Sequence, residues 1–212
     1  MVIAIDGPAG AGKSTVARGV AKALGFTYLD SGAMYRCVAL AALERGIDPE
    51  DGERLGELAW NLEIDFERDT IRLNGTPVEG KIRSPEVTIA ASHVSVHPQV
   101  RQAMVKRQRE LIAAGKYVAE GRDIGTVVSP DSPLKIFLTA DEEERARRRA
   151  AESGESVQQV RQAMRDRDRR DQERADSPLR VAEDSTSIDT TDKGPDEVIS
   201  EIADLARERG LA

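Results

Sequence analysis

Aromatic residues are scarce in this chain, with three Phe, three Tyr and one Trp in 212 residues. Proteins that hold single-stranded nucleic acid stack its bases on aromatic rings, so that class is disfavoured, and a net charge of −7 points the same way. Cysteine occurs once, as Cys37. An intramolecular disulfide is therefore excluded, and Cys37 is expected as buried core in an Ala- and Leu-rich helix. No apolar run approaches the length of a membrane span, and the chain opens on a strand without a charged leader. The expectation is a protein of the reducing cytoplasm with no membrane partner. Of the two histidines, neither His93 nor His97 sits in a motif for proton transfer, and both read as helix-end residues. An Asn-Lys-x-Asp run for reading guanine, an internal repeat and a low-complexity tract are all missing.

What is present begins at the N-terminus. The apolar run Val2-Ile3-Ala4-Ile5 leads into Gly7-Pro8-Ala9-Gly10-Ala11-Gly12-Lys13-Ser14-Thr15, a phosphate-binding P-loop in its required order of strand, loop and helix. The four-residue spacer lets backbone N–H groups wrap a polyphosphate, Lys13 adds a point charge for its β- and γ-phosphates, and Ser14 offers a hydroxyl to magnesium. The following helix aims its positive dipole end at the same place and closes at Gly25.

Short β-branched segments recur at 2–5, 27–29, 117–119, 134–138 and 186–189, with amphipathic stretches of helical length between them. Such alternation predicts an α/β fold, a parallel sheet with helices on both faces. Helices are expected at about 13–24, 32–45, 98–114, 142–152, 156–173 and 195–209. One region departs from the pattern. Residues 62–78 read as small antiparallel strands around Asn74-Gly75, followed by a helix opened by Ser84-Pro85, which together make an inserted subdomain. Residues 141–174 carry ten Arg against ten Asp plus Glu. They balance each other, as in a solvated helix pair, which argues against a nucleic-acid-binding arm.

Three arginine positions point to a second anionic ligand. Arg36 lies in the first turn of the nearly apolar helix 33–43, where a buried guanidinium needs an anion. With Ser31 beside it, it makes either a phosphate site or a structural pair with a carboxylate. Arg122 and Asp123 follow the strand Tyr117-Val118-Ala119, at the carboxyl edge where open parallel sheets bind ligands; an ordinary loop salt bridge is the alternative. The stripe Val157, Val160, Met164, Arg167, Asp171, Arg174 keeps one helix face and turns from apolar to charged, with Arg170 on the same side. It is either a solvated helix end or an arginine-bearing lid over phosphates.

Taken together, Gly7 to Thr15, Asp30-Ser31-Gly32-Ala33-Met34-Tyr35-Arg36, Ala91-Ser92-His93-Val94 with Val100-Arg101, Glu120 to Val128, and Arg167-Asp168-Arg169-Arg170-Asp171 with Arg174 resemble the bacterial cytidylate kinase family of nucleoside monophosphate kinases. The resemblance covers essentially the whole chain. It implies a single P-loop kinase domain over 1–212, built on a five-stranded parallel sheet, with a monophosphate-binding insert at about 62–95 and a helical lid at about 145–175. It further implies that Ser92, Arg101 and Asp123 read cytosine and that Ser31, Arg36 and Arg122 hold the acceptor phosphate. Arg167 and Asp171 would contact the ribose or its phosphate, and Arg174, helped by Arg170, would act from the lid. ATP with Mg2+ would be the donor, CMP and dCMP the acceptors, and a monomer the working form.

The acceptor in such a reaction is a phosphate oxygen whose second pKa is about 6, so it is already ionised at neutral pH and needs no general base. The protein's task is to align two anions and neutralise the transferring group, with Lys13 and magnesium on the donor side and the arginines opposite. The competing readings are a P-loop kinase of another small molecule, such as UMP or a shikimate-like acceptor, and a nucleotide-dependent switch or binding module without transfer.

Overall fold

Strand β1 (Val2–Asp6) is buried at every residue, as a central strand covered on both faces must be. It pairs in parallel with β6 (Tyr117–Gly121) on one side and β7 (Leu134–Thr139) on the other, in register Asp6 to Gly121 and Asp6 to Phe137. β2 (Thr27–Asp30) adds to β6, and β8 (Thr186–Asp189) adds to β7, giving the order β2-β6-β1-β7-β8. The computed structural model describes residues 1–67 and 70–211. Arg68 and Asp69, inside the expected insert, and Ala212, the end of the expected domain, lie outside the described residues.

The five-stranded sheet belongs to a compact unit made of Met1–Asp30 and the chain from Leu111 onward. Helix α1 (Lys13–Leu24) packs against α8 (Pro195–Glu208), and between them and the strands lie Ile3, Ile5, Val16, Val20, Leu134, Ile136 and Ile202. Gly25 ends α1 in the left-handed conformation, φ 67°, with its N–H on the Ala21 carbonyl. Helices α6 (Glu142–Ser153) and α7 (Val157–Glu173) form an antiparallel pair around Ala146, Ala150, Val160 and Met164, turning at Gly154.

The second unit, Ser31–Glu110, contains α2 (Ser31–Glu44), α3 (Gly52–Trp60), α4 (Pro85–Val94) and most of α5 (Pro98–Ala113), with the antiparallel sheet β3 (Ile64–Glu67), β4 (Thr70–Leu73) and β5 (Thr76–Pro77). The expected hairpin with its Asn74-Gly75 turn is there, both residues at positive φ. Ser84 caps α4 by accepting from the Val87 N–H. Cys37 is buried in α2, as its surroundings predict.

Helix α3 has no counterpart in the sequence reading. Asp51 caps it, accepting from the Arg54 N–H at 3.1 Å, yet Gly52 and Gly56 look like breakers. Their role is packing. A Cβ on Gly56 would sit 2.5 Å from Cβ of Gln99, so the missing side chain lets α3 and α5 approach closely. Two further details differ from expectation. Val157 is exposed and does not head the inward stripe of α7, and Arg36 is half-buried although α2 around it is buried.

Candidate active site

The P-loop leaves β1 at the carboxyl edge of the sheet and is stopped from carrying side chains at its start. A Cβ on Gly7 would lie 2.1 Å from the Leu138 carbonyl oxygen. Gly12 precedes α1 with φ 82°. Lys13 is buried and its Nζ donates to the Pro8 carbonyl at 2.7 Å. Burial first, and repulsion from Arg122 second, pull its pKa down from 10.5 to about 7. A site that does this to a lysine favours a bound anion, which would restore the charged form.

Ser14 and Thr15 are exposed in the first turn of α1, and Ser14 hydrogen-bonds to Glu120, the buried acid near the end of β6. Burial, and then the neighbouring Asp30, push the Glu120 pKa up. Tyr28 donates its hydroxyl to the same carboxyl and lies under Arg18, whose guanidinium carbon is 4.5 Å from the ring centroid. Among the described residues no three His, Cys, Asp or Glu side chains converge as a metal cage. Magnesium needs none when it arrives with phosphates, because one or two hard oxygen ligands suffice. The Ser14 hydroxyl beside two acids that repel each other fits such an ion.

Two residues after Glu120, Arg122 sends Nε to Asp171 Oδ2 of α7 at 2.8 Å, the two side chains being 16% and 7% exposed. Arg174, just past α7, lies 3.7 Å from Asp171 Oδ1 and 3.9 Å from Asp123 Oδ1, and its Nε donates to the Ser177 carbonyl at 2.7 Å. Burial raises the pKa of Asp171, but Arg122, Arg167 and Arg174 outweigh it, so its carboxyl stays ionised below the usual range. The charged half of the α7 stripe is therefore not a solvated helix end. It closes a buried cluster with Arg122 and Asp123. Arg167 and Arg170 are half-buried on the same helix.

Sequence reasoning missed Asp6. Buried at the end of β1, it accepts from the Ile124 N–H at 2.9 Å and the Gly125 N–H at 2.7 Å. These bonds hold the π-helical turn Ile124–Val128 and with it the position of Asp123. Burial raises the Asp6 pKa from 3.8 to about 6 despite those two bonds. An acid closing an otherwise apolar buried strand was the available signal.

The remaining expected residues belong to the second unit. Ser31 is buried at the start of α2, and Arg36 follows in that helix. Ser92 is buried on α4, and its carbonyl accepts from the Ser95 hydroxyl at 3.1 Å. Arg101 on α5 is 1% exposed, donates to the Ser95 carbonyl at 3.3 Å and lies 5.4 Å from the centroid of the Tyr35 ring. The structure thus joins Arg101 to the turn after Ser92 and adds Tyr35, which the sequence reading quoted without a role. His97 binds the Pro49 carbonyl at 2.7 Å and His93 pairs with Glu50 at 3.5 Å, both structural contacts near helix ends.

A family model described as cytidylate kinase matches residues 3–208. The chain is 48% identical over 218 residues to a cytidylate kinase of Mycobacterium leprae (strain Br4923), with 100% of this chain and 98% of that protein covered. It is also 48% identical over 216 residues to a cytidylate kinase of Solibacter usitatus (strain Ellin6076), covering 99% and 93%. Among solved structures, a gluconokinase from Sinorhizobium meliloti 1021 superposes with a TM-score of 0.55 at 15% identity, over 99% of this chain and 93% of that one, a likeness of fold alone.

Proposed function

The chain belongs to the cytidylate kinase family, and on that premise we propose that it moves the γ-phosphoryl group of ATP to CMP or dCMP, giving ADP and CDP or dCDP. The observation that carries this reading is the buried cluster of Arg122, Asp171, Arg174 and Asp123 beside the P-loop. A nucleotide switch has no use for several arginines fixed next to its phosphate loop, whereas phosphoryl transfer needs them for a charged, in-line transition state.

In this reading the backbone of residues 7–15 cradles the donor phosphates, with Lys13 reaching between them. Ser14 and, through Glu120, the end of β6 hold magnesium, which when bound neutralises donor phosphate charge. Ser31, Arg36 and Arg122 bind the acceptor phosphate, and Arg167 and Asp171 the ribose or its phosphate. Ser92, Arg101 and Asp123 match cytosine's amine donor and its ring nitrogen and carbonyl acceptors. Uracil would set a carbonyl against Asp123. Arg174, helped by Arg170, supports the transferring group from a lid at about 145–175, which also keeps out water. We further read residues 1–212 as one domain with an insert at about 62–95, acting as a monomer in the cytoplasm without a nucleic-acid partner.

The test is coupled ADP release with ATP and magnesium, comparing CMP, dCMP, UMP, AMP and shikimate at equal concentration. Turnover confined to CMP and dCMP is expected. Turnover with another acceptor would keep the P-loop kinase and discard the cytosine pocket, and ADP release independent of any acceptor would favour the switch.

A further inference from the structure

The role above uses Arg167, Asp171 and Arg174 of the α7 segment but leaves Asp168 without one. Asp168 faces the P-loop. Its Oδ1 accepts from the Ala9 N–H at 3.2 Å, and its Oδ2 accepts from Arg145 Nη1 of α6 at 2.6 Å. The same Arg145 Nη1 donates to the Ala9 carbonyl at 2.9 Å, while Nε donates to the Ala140 carbonyl at 3.1 Å. Both backbone groups of Ala9 are thus held by the helix pair, one by each helix. The side chains of Arg145 and Asp168 are 12% and 13% exposed, so the pair is largely shielded from water.

Packing marks the same contact independently. Ala9 lies against the apolar cluster of Ala146, Ala150, Val160 and Met164. Gly10, at φ 75°, has no room for a side chain, because a Cβ would sit 2.8 Å from Met164 Cε and 2.9 Å from the Arg145 carbonyl oxygen. The crown of the P-loop is seated in the α6–α7 pair. Asp168 and Asp171 are three residues apart and so share one face of α7 about 60° from each other, and through them α7 touches the P-loop at Ala9 and the Arg122 cluster.

We propose that Asp168 is a positioning residue that, paired with Arg145, latches the α6–α7 pair to Ala9 and so fixes the register between the P-loop and the arginines of α7. The proposal rests on the phosphoryl-transfer reading for its consequence, since the loop would hold the donor and the arginines would meet the group in flight. Misplacement by about 1 Å costs around a hundredfold in such reactions.

A double-mutant cycle of Arg145→Ala and Asp168→Ala tests it, with kcat, KM for each nucleotide and acceptor-independent ATP hydrolysis measured on protein shown to be folded by circular dichroism. Each single change is expected to lower kcat by about ten- to a hundredfold, as losing a buried charged hydrogen bond does. The double variant should be no worse than the singles, because one latch is lost once. The share of ATP lost to water should rise, and Asp168→Asn, which keeps an oxygen for the Ala9 N–H, should fall between wild type and Asp168→Ala. Additive losses, or a folded Asp168→Ala with wild-type kcat and wild-type hydrolysis share, would overturn the latch. If Asp168→Ala does not fold, Arg145→Lys and Asp168→Asn form the same cycle with the same criteria. Should wild type show no CMP-dependent turnover, the functional reading fails. The latch is then judged by amide hydrogen exchange at Ala9, expected to be about tenfold or more faster in the Asp168 variant, and unchanged exchange overturns it.

Discussion

The two units of this chain use charge differently. In the unit that carries the P-loop, Arg122 and Arg174 share Asp171, Arg174 also faces Asp123, and Arg145–Asp168, one turn earlier on α7, is likewise largely shielded from water. In residues 31–110 ion pairs such as Arg107–Asp65, at 37% and 53% exposure, and Lys81–Glu44 lie outside, while the buried Arg101 donates to the Ser95 carbonyl, in the turn after the buried Ser92. Buried pairs seldom add net stability, because desolvation consumes most of the attraction. Holding such pairs out of water fits the proposed reading, in which an anion enters this unit. The second unit buries Ser31, Ser92, Ser95, Arg101 and Gln108, which on the proposed reading would recognise a shape and a few hydrogen-bonding atoms.

The sharpest way to break that contrast is to remove one charge from the first unit. Lys13→Ala and Arg174→Ala are each expected to cost about a thousandfold or more in kcat, the scale seen when a transition-state cation is lost, while the far-ultraviolet spectrum stays that of the wild type. Near wild-type turnover in either folded variant would remove that residue from the transfer step.

How far these residues were legible from sequence depends on whether neighbours in sequence are neighbours in space. The P-loop, the five parallel strands and the Asn74-Gly75 hairpin rest on local patterns, and each was readable. Helix α3 was not, because Gly52 and Gly56 serve close contacts, with His97 and with Gln99 of α5, that no local rule contains. Arg36 shows a related limit: an apolar helix predicts burial of its backbone and short side chains, but a long guanidinium can reach past them. The Arg145–Asp168 latch was hidden in a stretch whose charges cancel, which reads as a solvated pair of helices until their packing brings residues 23 apart to 2.6 Å. Asp6 reads in sequence only as the last residue of a strand, yet its two backbone hydrogen bonds shape the turn after Asp123.

The second unit predicts a different loss. Arg101→Met keeps much of the volume and removes the donors. CMP should bind with KM raised by about a hundredfold, the cost of mismatching a hydrogen-bonding pocket, while KM for ATP changes by about twofold or less. Equal changes for both nucleotides would erase the division between a charge-binding and a base-reading unit.

Asp6 sharpens the comparison through pH. Its carboxyl is buried, and its folded pKa of about 6 lies above the ordinary carboxylate value of 3.8, so between those values the folded protein binds the proton that the unfolded chain has released. The contribution of Asp6 to stability is therefore fully present below about pH 4 and declines as pH rises to about 6, by up to about 3 kcal/mol at 1.36 kcal/mol per unit. Asp6→Asn cannot titrate. The unfolding free energy of wild type minus that of Asp6→Asn should fall across pH 4 to 6 and level off above about 7. A difference flat across that window would mean that Asp6 stays ionised, stabilised by the Ile124 and Gly125 N–H groups more strongly than burial opposes it.

The smallest effect belongs to the surface of the second unit. Arg107 on α5 reaches Asp65 of β3 at 2.6 Å and Glu110 at 3.3 Å, and its Nε donates to the Ile64 carbonyl at 3.4 Å. By geometry it is as well connected as Arg122, yet it is half-exposed, and water replaces what it loses. Arg107→Ala should cost about 0.5 to 1 kcal/mol in unfolding free energy, less in high salt, with kcat and both KM values unchanged. A loss of several kcal/mol would mean that the exposed pairs of this unit hold its small sheet to α5 as a network, and that the difference between the two units lies in solvent access alone and not in what their charges are for.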